Sequence, residues 1–339
     1  MKSILLWITI TALLPATQLL AQQNDVTEAG KAKDSSPHTI QFVTVDKDVK
    51  LEVLDWGGAG RSLVFLAGLG FDAHVFDKFA PKLTSTYHVY GITRRGFGLS
   101  SAPIPSSGNY SADRLGDDVL AVMNTLKLDR PVLVGHSIAG EGLSSIGSRH
   151  PDKVAGLIYL DAGYAYAFYD PSRGDAIVDL CELRRELNQF ASLESPREHK
   201  AQIKELLDVS LPQFEKDLHD LQKQFQAIPD TVPAPPDTPA NRIALAIQSS
   251  VQKFTSIKCP VLAIFAVPHD MGPATGADAA AHAAMVAADL DRTSAQANAF
   301  EAGIPFAHVV RLPNANHFIF NSNEADVLRE MNTFLAKLP

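Results

Sequence analysis

The chain has 339 residues, 46% hydrophobic, 20% charged and 8% aromatic, which excludes collagen-like repeats, a disordered tail protein and a disulfide-dense miniature scaffold. Thirty basic against 38 acidic side chains leave a formal charge of −8. Such a surface repels phosphate backbones and anionic lipid, so no nucleic-acid partner is expected.

Residues 1–21 read MKSILLWITITALLPATQLLA: one lysine, an apolar run, a proline break and a small residue before a polar stretch. This is the three-part pattern of a secretory signal peptide, with Ala21 as the last residue before cleavage. The apolar run is shorter than the ~20 residues that span a bilayer, so cleavage and export to the periplasm or medium are expected, with no stable membrane insertion afterwards. Residues 22–38 are small and polar and read as a flexible lead-in.

Segments 40–45 and 49–56 alternate apolar and polar residues and predict a pair of strands. Short apolar runs follow at 62–66, 87–92, 131–134, 154–160, 260–266 and 308–312, the mark of strands buried on both faces of a parallel sheet. Helical periodicity fills the intervals 75–84, 111–126, 138–149, 277–300 and 324–338. Strand–helix alternation of this kind predicts a mostly parallel, doubly wound α/β sheet. The interval 164–257 is too long for one crossover. Helical pieces at 176–193, 198–211 and 214–227, then a proline-rich link at 228–240, mark it as a helical cap inserted between core segments 39–163 and 258–339. Cys181 and Cys259 do not make a disulfide framework and are expected to be unpaired.

The chemistry concentrates at strand ends. After the strand PVLV comes Gly135-His136-Ser137-Ile138-Ala139-Gly140, then a helical stretch. A serine on a tight strand-to-helix turn is held exposed, and its neighbours two positions away must be small. Here position 139 is alanine where glycine is usual. Leu66-Ala67-Gly68-Leu69-Gly70 follows an earlier buried strand, so the N–H of Leu69, with that of Ile138, is a candidate oxyanion donor. Asp270 follows the strand at 260–266 and is the expected acid. Asp161, at the end of VAGLIYLD, is the alternative acid, and His317 follows the last strand as the expected base. His136 and His269 are read as packing residues, and Glu141 as an acid suited to the positive end of its helix with a secondary substrate-contact role open. No metal-ligand spacing occurs, so neither a metal nor another cofactor is expected.

The motifs GHSIAG, AGLG, GITRRGFGLSS, VPHD and NANH resemble those of the α/β-hydrolase superfamily, in the capped group of small esterases, lactonases and proline-iminopeptidase-like enzymes, over nearly all of 40–338. In GITRRGFGLSS, Thr93 stands where the family commonly has Asp. The resemblance implies an α/β-hydrolase fold with Ser137 as nucleophile, Asp270 orienting the base and His317 as that base. Dehalogenase-like and epoxide-hydrolase-like members carry a carboxylate at the elbow, whereas this chain has Ser137. The expected activity is therefore hydrolysis of an ester or related acyl bond of a small to medium substrate. The alternatives are a prolyl aminopeptidase, for which Glu182 and Glu186 could hold the substrate amine, and a non-catalytic ligand-binding relative.

Overall fold

The computed structural model describes residues 36–226, 236–274 and 279–339. The expected signal peptide, and the lead-in up to residue 35, lie outside them.

Eight strands form one mixed sheet: β1 (Thr39–Asp46), β2 (Val49–Gly57), β3 (Ser62–Leu66), β4 (His88–Ile92), β5 (Val132–His136), β6 (Gly156–Leu160), β7 (Val261–Ala266) and β8 (Ala307–Leu312). Their spatial order is β1-β2-β4-β3-β5-β6-β7-β8. The hairpin β1–β2 is antiparallel and β2 meets β4 antiparallel. From β4 onward every pairing is parallel. The strands β5, β6 and β7 are buried throughout, as their continuous apolar runs require.

Alternation along each strand sends successive side chains to opposite faces. Val64, Leu66, Leu133 and Ala263 pack on one face with Val119 and Val122 of α1 (Ala112–Thr125), Leu143 and Ile146 of α2 (Ala139–Arg149), and Phe300 further along. Leu63, Phe65, Val134 and Ile264 pack on the other with Phe76, Phe79, Phe320 and Met331. The sheet is thus covered on both sides, and the strand ends are left as the place for a site.

Between β6 and β7 the described residues add helices and no strand: α3 (Ala176–Phe190), α4 (Pro196–Glu205), α5 (Leu211–Gln226) and α6 (Pro239–Gln248). Then α7 (Ala279–Gly303) and α8 (Glu324–Leu335) flank β8. Two elements differ from expectation. The helix predicted at 75–84 is two short 3-10 turns, Ala73–Phe76 and Ala80–Leu83, because Pro81 has no N–H to continue a single helix. The helix α6 begins inside the predicted link, with Thr238 capping it and Pro239 at its first position, where a proline is favourable.

Candidate active site

Ser137 is the residue after β5 and carries φ 55°, the left-handed region that a side chain occupies only under strain. The turn is held by Gly140 N donating to the Ser137 carbonyl at 3.0 Å. Crowding explains which neighbours must be small. A Cβ at Gly135 would lie 2.9 Å from the Leu143 side chain, and one at Gly140 would lie 2.0 Å from the Ala162 carbonyl oxygen. The alanine at 139 is accommodated and buried, so the strict requirement has moved one position on, to Gly140.

The AGLG turn presses on this elbow. A Cβ at Gly68 would stand 3.0 Å from that of Ser137 and 2.9 Å from His136 Nδ1. Among the described residues neither the Leu69 nor the Ile138 N–H donates to a backbone carbonyl, so both expected oxyanion donors are unengaged.

His317 follows β8, and its imidazole centroid lies 4.7 Å from that of His136, the residue before Ser137. His136 is itself buried, and burial is the main reason its pKa falls to about 3. The neutral ring donates from Nε2 to the His317 carbonyl at 3.1 Å and packs on Phe318 and Phe320, fixing the His317 loop against the elbow.

The acid facing His317 is Asp161 and not Asp270. Asp161, just after β6, also has positive φ, 47°, and its Oδ2 lies 2.6 Å from His317 Nδ1. The same Oδ2 accepts from His269 Nε2 at 2.7 Å and from the Tyr164 hydroxyl at 3.0 Å, while Oδ1 accepts from the Ala266 N–H at 3.0 Å. Burial alone would raise its pKa. The positive charge and hydrogen bond of His269, together with the bond from His317, outweigh that and hold the carboxyl well below the usual range. Asp270 is exposed and turns away: its carboxylate accepts from the N–H of Gly272 in its own turn, and its backbone N–H bonds to the Ala315 carbonyl. The reason is local: past the end of β7, His269 forms an isolated bridge to Ala315 and takes the buried position, leaving Asp270 on the solvent side.

His269, expected to be a packing residue, is a buried link between two acids. Its Nε2 meets Asp161 and its Nδ1 lies 3.0 Å from Asp289 of α7, which also bonds Arg292. Burial disfavours the charged ring, yet the two carboxylates raise its pKa to about 9. Asp161, His269 and His317 bring donor atoms within 4.8 Å of one another, as do His38, His74 and Asp77 near β2. These are the two places among the described residues where a metal would find ligands, although at the first the hydrogen bonds already account for the spacing.

Three further features complete the surroundings. Tyr166 packs against the cluster that contains Ile138, and burial pushes the pKa of its hydroxyl well up. The carboxylate that Thr93 does not provide comes from β2, where Glu52 Oε2 accepts from the Thr93 hydroxyl at 2.6 Å. Both cysteines are free and buried, with burial pushing the Cys259 thiol up to about 12.

The chain belongs to the alpha/beta hydrolase fold family, whose model matches residues 61–323. It is 34% identical over 116 residues to a fluoroacetate dehalogenase from a Burkholderia species, covering 34% of this chain and 38% of that protein. The chain spans less than half the length of the curated relatives it matches. Among solved structures, a thermophilic esterase from Thermogutta terrifontis aligns with TM-score 0.54 and 20% identity over 88% of this chain and 98% of that one. An N-acyl homoserine lactone degrading enzyme, Est816, aligns with TM-score 0.54 and 21% identity over 87% of this chain and all of the other. At such identities these likenesses describe the fold.

Proposed function

We propose that the protein is an exported serine hydrolase that cleaves a carboxylic ester, or a related acyl bond, of a small to medium substrate through an acyl-enzyme on Ser137. The observation that carries this reading is the 2.6 Å pair of Asp161 and His317, set beside a strained serine at the end of β5. Serine at the elbow, in place of a carboxylate, favours acyl chemistry over dehalogenation or epoxide opening.

Ser137 Oγ attacks the carbonyl carbon as its proton passes to His317 Nε2. Asp161 holds the ring through Nδ1 and stabilises the imidazolium that forms. The N–H groups of Leu69 and Ile138 meet the oxyanion, each worth about 3 kcal/mol in the transition state. Collapse expels the alcohol, which takes the proton from His317. Water then repeats the sequence on the acyl-enzyme and releases the acid. In the cap, Glu182 is already ion-paired with Arg185, which weakens the aminopeptidase reading.

A fluorophosphonate probe on the purified protein tests the nucleophile. Labelling that vanishes in Ser137→Ala supports the reading, and a folded protein that takes no label overturns it. Export rests on the N-terminal pattern, and a secreted or periplasmic product starting at Gln22 by mass spectrometry is its test.

A further inference from the structure

Beside the elbow lies a polar pair that the acyl-transfer steps do not use. Glu141, four positions after Ser137, is buried at 1% exposure, and neither carboxylate oxygen has a hydrogen-bond partner among the described residues. Arg94 donates from one terminal nitrogen to the Ala67 carbonyl at 2.8 Å, while its other terminal nitrogen, also buried, has no partner. The two side chains make no direct ion pair. They line the same cavity of about 30 Å³, whose wall includes Ala67, Ile138 and Ala139, and so touches the oxyanion turn and the residues just after the nucleophile. Tyr166 joins the pair to the elbow, since it packs against the apolar cluster that contains Ile138 and lies within electrostatic reach of both Arg94 and Glu141.

Buried polar groups are normally satisfied, and each that is not costs about 1–3 kcal/mol. Two such groups of opposite kind, separated by a gap next to a nucleophile, form a receptor for a third group. Arg94 offers only donors, whereas burial pushes the Glu141 carboxyl up to about 8, so at neutral pH it offers one O–H donor and one carbonyl acceptor. A carboxamide satisfies both, its carbonyl oxygen accepting and its N–H donating to the Glu141 carbonyl oxygen, whereas a carboxylate brings no donor for that oxygen.

We infer that Arg94 and Glu141 form a subsite beside Ser137 for a carboxamide-type group, so that the preferred substrates are acyl compounds bearing a primary amide or ureido function. This rests on the acyl-hydrolase reading for its substrate side. The amide carbonyl accepts from Arg94, its N–H donates to Glu141, and the acyl carbon is thereby placed toward Ser137. Glu141 then acts in specificity, and proton transfer stays with His317.

The test compares 4-nitrophenyl esters of three to six acyl carbons ending in a methyl, a carboxamide or a carboxylate. The expected result is a kcat/KM at least tenfold higher for the carboxamide ester than for its methyl counterpart. That ratio should collapse toward one in Glu141→Leu and be largely retained in Glu141→Gln, which keeps an acceptor. Thermal stabilisation by hexanamide, read without turnover, should be seen in the wild type and lost in Glu141→Leu. Equal methyl and carboxamide rates, or a carboxylate ester that wins, would overturn the subsite even with Ser137 labelled by fluorophosphonate. Absent labelling alongside hexanamide stabilisation that Glu141→Leu removes would keep the subsite and overturn the acyl-hydrolase reading instead.

Discussion

The turns after β6 and β7 start from similar material and end differently. Each leaves a buried parallel strand and each presents an aspartate within a few residues. After β6, Asp161 takes a positive φ, sinks to zero exposure and collects four hydrogen bonds, including that of His317. After β7, Asp270 lies in solvent and caps its own turn, while His269 before it points inward. A buried carboxylate is tolerable only when donors surround it, and the β6 end provides them from β7, from the β8 loop and from Tyr164. The β7 end provides a cation instead. The pair therefore works as one device in which the second turn neutralises the acid that the first turn carries.

Seven substitutions would break or sharpen this contrast. The largest effect is expected at the acid. Asp161→Asn should lower kcat on an activated ester by about 10³- to 10⁴-fold, because the wrong tautomer of His317 is then favoured. Asp270→Asn should leave kcat within about twofold, and a reversal of these two results would return the role to Asp270. The next effect is structural. Removing His269 as His269→Ala strands two buried carboxylates and should cost about 3–5 kcal/mol in urea unfolding. Asp270→Ala should stay within about 0.5 kcal/mol.

The pH dependence follows with its sign. The pKa of His269 is raised from 6.5 to about 9, so the folded state holds a proton that the unfolded chain releases earlier. Its contribution is full below 6.5 and is lost as pH rises through about 9. Unfolding free energy should therefore fall between pH 7 and 9.5, and His269→Gln should flatten that fall. An unchanged slope in the variant would remove the imidazolium from the account. The smallest effect concerns packing of the β6 turn on the elbow. Gly140→Ala drives a methyl into the Ala162 carbonyl and should cost about 1–3 kcal/mol of stability, with a parallel loss of labelling at Ser137. Ala139→Gly should cost under about 1 kcal/mol.

Much of this was readable from the residues. The strands at 62–66 and 260–266 announce themselves because a doubly covered sheet admits only apolar side chains, and Ser137 because a strained turn needs small neighbours. The acid was harder, since VPHD offers an aspartate at a familiar place and only the path of the chain past the end of β7 decides whether 269 or 270 faces inward. His269 and Asp289 were hidden for a related reason: their partnership joins a strand end to a helix twenty residues away, and no local pattern records it. Arg94 sits in a motif whose neighbour Arg95 has a clear duty, a two-pronged bond to Asp118 at 2.6 Å. Nothing in the order of residues separates the two guanidinium groups.

The row Asp161, His269, Asp289 and Arg292 alternates in sign from the candidate active site toward the surface. An alternating row has a short-ranged field, because each charge is cancelled by the next. What His317 feels is set by its immediate neighbour, with little left over from the −8 of the whole molecule. Ionic strength acts on long-range fields and hardly reaches buried pairs. The chemical step should therefore be almost indifferent to salt.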